Sequence, residues 1–151
     1  DWTIAHVHAG SLGWVAMITI GSLYAMAPRA LGRPAMHSRA GMELHFWLHL
    51  SGTLFYVISM WGAGVTEGMM WRATNPDGAL THSFIDSLVA IKPLYIFRWF
   101  GGVLIWLGMW VMAWNLWYTA ADARKKIILP IPVPIPEPVA EQMPPPLPAA
   151  G

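Results

Sequence analysis

The chain has 151 residues, of which 56% are hydrophobic and 11% charged, with a mean hydropathy of +0.45. A soluble domain carries roughly 25% charged residues, so this chain lacks the charge to cover a soluble surface and reads as a membrane protein. Nine Lys and Arg against eight Asp and Glu leave a net charge of +1 with no basic stripe, which excludes a nucleic-acid partner, and the absence of Cys excludes disulfides, iron–sulfur clusters and covalently attached c-type haem.

A membrane crossing takes about 20 apolar residues for about 30 Å of hydrocarbon. Three segments qualify, at about residues 3–27, 42–66 and 94–120. The expected fold is therefore all-α, an integral membrane helical bundle with a membrane domain over 1–120. The first span contains no Asp, Glu, Lys or Arg and is expected to stop at Pro28, beside Arg29 and Gly32. The second has Glu43 at its entrance, and the third has Arg98 near its start. Trp2, Trp71, Trp99 and Trp117 suit the interfacial belts.

The connections set the orientation. Residues 28–39 hold Arg29, Arg33 and Arg39, and the segment after the third span holds Arg124, Lys125 and Lys126. The longer loop, 67–93, holds Arg72 and Lys92 diluted by Glu67, Asp77 and Asp86. Cations favour the cytoplasmic side, so the first connection and the tail are expected there, with the long loop outside. Within that loop Asn75-Pro76-Asp77-Gly78 signals a turn, and 83–92 is expected to form a short interfacial helix with Phe84, Leu88 and Ile91 on one side. From Pro130 the text becomes proline-rich, with nine of the thirteen prolines. Residues 121–151 thus read as a basic, then proline-rich, disordered tail. The start at Asp1, with no charged leader before the apolar stretch, suggests a piece of a longer chain.

The chemistry rests on histidine. His6-Val7-His8 opens the first span. On a helix, residues two apart are separated by about 200°, so the two imidazoles face opposite sides. Such a pair does not chelate one metal, but it can give one ligand to each of two centres flanking the helix. The alternative is that either ring merely bonds a backbone carbonyl near the interface. Gly10 and Gly13 leave small surface further along, where a planar cofactor can approach the backbone. His45 and His49 share one helix face with Glu43 nearby, so they form either a metal site or a structural pair. His37 and His82 read as solvated loop residues.

The string from Asp1 through His6-Val7-His8-Ala9-Gly10 to Leu12-Gly13-Trp14 resembles a late helix of the catalytic subunit of cbb3-type cytochrome c oxidases, the C family of haem–copper oxidases. The likeness continues through His45-Phe46-Trp47, Ala63-Gly64-Val65-Thr66-Glu67-Gly68-Met69-Met70-Trp71-Arg72-Ala73, Gly101-Gly102 and Ala113-Trp114-Asn115-Leu116. It covers about residues 1–120 and implies the last three helices of a twelve-helix core.

That resemblance implies two b-type haems. His6 becomes the proximal ligand of the high-spin haem iron, and so a catalytic residue, while His8 becomes an axial ligand of the low-spin haem iron. Copper is implied for the complete subunit, with its ligands outside this chain. Arg98 stands at the depth expected of haem propionates, and its planar fork suits a carboxylate; interfacial snorkelling is the alternative. Trp71 and Arg72 flank the same outer region. The implied activity is oxidation of cytochrome c, reduction of O2 to water and proton translocation. The implied setting is a bacterial inner membrane, among lipid, the subunit's other helices and c-type cytochrome subunits. Two other functions fit the same text: a nitric oxide reductase-type haem subunit, and a non-catalytic membrane module from a split oxidase gene.

Overall fold

A computed structural model describes the backbone of residues 1–128 and the side chains of residues 1–123. The elements are α1 (Trp2–His8), a π-helical stretch (Ala9–Ala16), α2 (Met17–Ala30), α3 (Arg39–Arg72) and α4 (Phe84–Ile128). The first three run on as one helix, Trp2–Ala30. Three helices are thus long and apolar enough to cross a membrane, and the described residues contain no strand beyond a single bridge, Thr74 to Leu80. Each expected span lies within one of these helices. The proline-rich segment expected from Pro130 falls outside the described residues.

Helix ends follow local chemistry. Ser38, in an extended conformation, caps α3 by accepting the Gly41 N–H at 3.0 Å. Ser83 and Asp86 cap α4 reciprocally: Asp86 accepts the Ser83 N–H at 2.8 Å and Ser83 Oγ accepts the Asp86 N–H at 3.2 Å. The first span does not stop at Pro28. Pro28 is taken into the last turn, and the helix ends where Gly32 adopts φ +62° and Arg33 N–H reaches back to the Pro28 carbonyl at 2.7 Å. A separate short helix over 83–92 is likewise not formed. Pro93 lies inside α4, which runs unbroken from Phe84, with Ile91 fully buried and Phe84 exposed. A proline removes one N–H without forbidding helical φ, so neighbouring spans can carry a helix past it. The turn at Asn75 forms as expected, with the Gly78 N–H on the Asn75 carbonyl at 2.9 Å.

Packing is tightest between α3 and α4. At Gly52, a Cβ would lie 2.7 Å from the Gly101 carbonyl oxygen, and at Gly101 one would lie 2.6 Å from that of Gly52. The two backbones therefore touch, as small residues permit in membrane helices. Further along, fully buried Asn115 clamps the connection before α3. Its Oδ1 accepts the Ser38 N–H at 2.9 Å and its Nδ2 donates to the Ser38 carbonyl at 2.7 Å. Thr119 accepts the His37 N–H at 2.9 Å. Each such bond contributes about 1 kcal/mol net, so this connection is fixed to the third span. His37 is not a free loop residue. Its Nδ1 pairs with Asp122 at 3.0 Å, and its ring packs on Trp114 and Tyr118. Trp2, Trp71, Trp99 and Trp117 all stand exposed.

Candidate functional site

α1 presents His6 and His8 from a turn whose Ala5 is sealed against the bundle. The roughly 200° between positions two apart leaves His6 exposed and His8 half-buried. His8 Nδ1 lies 2.8 Å from the Ile4 carbonyl. A carbonyl only accepts, so Nδ1 carries the proton and Nε2 keeps its lone pair. This is the tautomer that a metal-ligating imidazole with a backbone partner adopts. His6 has no hydrogen-bond partner among the described residues and opens away from them.

The His8 ring packs on Tyr56 of α3, with ring centres 5.1 Å apart. Tyr56 in turn lies 5.9 Å from the Arg98 guanidinium, which sits 4.9 Å from the Tyr95 ring and donates towards Met60 Sδ at 3.3 Å. Tyr56 therefore joins His8 and Arg98 into one constellation, a link that spacing along the chain gave no means to find. Tyr56, Tyr95, Arg98, Trp99, Gly102 and Trp106 line a cavity of about 370 Å³. Among the described residues no carboxylate lies within 4.0 Å of Arg98.

Trp71 and Arg72 do not join this group. They close α3 twelve residues beyond Met60, which is about 18 Å along a helix axis. The two glycines after the His pair also differ: at Gly10 a Cβ would meet nothing within 4 Å among the described residues, whereas Gly13 lies against Thr53.

His45 and His49 are buried, at 2% and 1% exposure. His45 Nδ1 lies 2.8 Å from the Tyr24 hydroxyl, and His49 Nε2 lies 3.1 Å from the Leu12 carbonyl. Glu43 points elsewhere, pairing with Arg39 at 3.2 Å. The described residues hold no group of three metal-ligating side chains. Through these bonds the two imidazoles tie the second span to the first.

Residues 1–104 match the family model described as cytochrome c and quinol oxidase polypeptide I. The chain belongs to this family. It is 52% identical over 124 residues to the cbb3-type cytochrome c oxidase subunit CcoN1 of Stutzerimonas stutzeri, an alignment covering 82% of this chain and 26% of that protein. It is 46% identical over 133 residues to cytochrome c oxidase subunit 1 of Rhodobacter capsulatus, covering 88% and 25%. A third relative, the bacteroid cytochrome c oxidase subunit 1 homolog of Bradyrhizobium diazoefficiens, is 40% identical over 131 residues, covering 87% and 24%. The chain spans about a quarter of the length of the curated relatives it matches. The resemblance to cbb3-type subunits drawn from the residue strings is borne out. This oxidase-family chain is a membrane protein whose spans match a subunit I.

Proposed function

We propose that the chain is the C-terminal part of a cbb3-type, proton-translocating terminal oxidase subunit that oxidises cytochrome c and reduces O2 to water. On this reading its spans are the last three of a twelve-helix core in a bacterial inner membrane. Residues 121–151 form a cytoplasmic tail, and c-type cytochrome subunits, lipid and the subunit's other helices surround the rest. The names of the relatives support an oxidase over a nitric oxide reductase.

The observation that carries the reading is the state of His8. Its Nδ1 proton is committed to Ile4, so its free Nε2 fits a low-spin b-type haem iron, while His6 opens to the opposite side for a high-spin haem facing copper held by other helices. Both haems, when bound, supply iron for electron transfer and, at the high-spin centre, for O2 reduction. The chain's own work is to hold two imidazoles at fixed angles on one helix and to keep their lone pairs available. Arg98 binds a propionate from the His8 side, which matches its unpaired state among the described residues.

Right-side-out vesicles carrying the complete oxidase should consume O2 when reduced cytochrome c is added outside, and His6→Ala should abolish this uptake. Uptake that survives the substitution overturns the reading. Arg98 has its own test. Arg98→Met should shift the midpoint potential of the low-spin haem more than Arg33→Met, because Arg33 lies in the connection near Asp122 at 3.7 Å. Equal, negligible shifts remove Arg98 from the site.

A further inference from the structure

Haem ligation uses neither of the two buried imidazoles, His45 and His49. His49 is 1% exposed, yet its Nε2 reaches across to the Leu12 carbonyl of the first span at 3.1 Å. Since that carbonyl only accepts, Nε2 carries the proton, and Nδ1 is left buried with no partner. A purely apolar side chain would avoid this cost. The bond must therefore return something that packing alone does not.

Leu12 sits in the middle of the π-helical stretch Ala9–Ala16, which begins at the residue after His8. Long π stretches are rare, and π turns cluster at functional sites. Ala9–Ala16 contains no proline to force one, so the stretch needs support from outside the helix. The second span supplies it in two places: His49 on the Leu12 carbonyl, and Thr53 against Gly13, where a Cβ would lie 3.9 Å from Thr53 Cγ2. His45, edge-on to His49 with ring centres 5.8 Å apart, extends the contact to Tyr24.

We propose that His49 is a positioning residue: its Nε2–H holds the Leu12 carbonyl in the π-helical stretch and so sets the rotation at which His6 and His8 face their haems. The proposal rests on the haem-ligand reading above. A wider turn directly beyond His8 changes the angle between the His6–His8 turn and everything that follows. Fixing that turn from the second span fixes the imidazole planes against the bundle.

The test compares His49→Leu, His49→Gln, His49→Asn and Thr53→Val in the complete oxidase, reading haem content, low-spin midpoint potential and low-spin electron paramagnetic resonance g-values. His49→Leu should keep both haems while shifting the potential and displacing the g-values. His49→Gln places an amide N–H near the position of Nε2 and should restore both. Thr53→Val keeps the methyl that meets Gly13 and loses only a hydroxyl without a partner, so it should match the parent. Parent-like signals in His49→Leu overturn the proposal, as does an equal shift in Thr53→Val, which leaves the His49–Leu12 bond in place. Should His49→Leu not assemble, the amide pair decides. Parent-like g-values in His49→Gln with displaced ones in the shorter His49→Asn support the proposal, and identical behaviour of the two overturns it. A low-spin signal that survives His8→Ala overturns the ligand reading and this proposal with it, so the silent substitution tells the two failures apart.

Discussion

Replacing His8 with Ala in the complete oxidase should erase the low-spin haem signature and stop electron entry, whereas replacing His6 should remove or misligate the carbon monoxide-binding haem and leave the low-spin signal standing. The difference follows from geometry. The two positions are separated by about 200° around the helix, and the two rings already differ in surroundings: His8 is half-buried against Tyr56 with its Nδ1 on Ile4, while His6 is exposed. Neutral imidazole offers one nitrogen to iron and the other N–H to an acceptor. Optical and carbon monoxide-difference spectra of each single variant are the measurement. Loss of the same haem in both would refute the assignment of opposite faces, and two intact haems in both would leave the pair a backbone-bonding role.

A second large effect is expected at the crossing of α3 and α4. Gly52→Ala puts a Cβ about 3 Å or less from backbone atoms of Gly101 and Ile105, and backbone cannot rotate aside as a side chain can. The cost should reach or exceed the ~1–3 kcal/mol of an overpacked core, because two whole helices must separate. Gly68→Ala, whose Cβ would meet nothing within 4 Å among the described residues, is the matched control. Thermal unfolding of the detergent-solubilised oxidase should show a clearly lowered midpoint for Gly52→Ala and Gly101→Ala, and an unchanged one for Gly68→Ala. Equal midpoints would mean that the helices do not cross at these glycines.

How much of this was legible beforehand depends on whether the signal was local. Three apolar runs and the two-residue spacing of His6 and His8 are local, and the structure has them as expected. The expected stop at Pro28 and the expected break between 83–92 and the third span misled because a missing N–H at Pro28 or Pro93 is a local penalty that a long, packed helix absorbs. The π-helical stretch left no trace in Ala-Gly-Ser-Leu-Gly-Trp-Val-Ala, since apolar periodicity does not distinguish one helical turn from a slightly wider one. Partners of His37, His45 and His49 lie on other helices, at sequence separations of 85, 21 and 37. Tyr56, the link between His8 and Arg98, had no motif around it. Its only clue was an aromatic ring inside a span, which is common.

The two hydrogen bonds between the first and second spans act together as a mount. Leu12 and Tyr24 are twelve residues apart, about 18 Å along the axis. A helix held at one point can swing, but one held at two can only tilt by the slack divided by that lever. Slack of about 1 Å at the Tyr24 end gives a tilt of about 3°, taking the helical rise as the lever length. His6 overhangs the Leu12 fixing by six residues, about 9 Å, so the same slack displaces it by only about half an ångström, within the tolerance of about 0.5 Å that a working site demands. The long baseline thus converts two ordinary hydrogen bonds into angular accuracy at the end of the helix where the imidazoles stand.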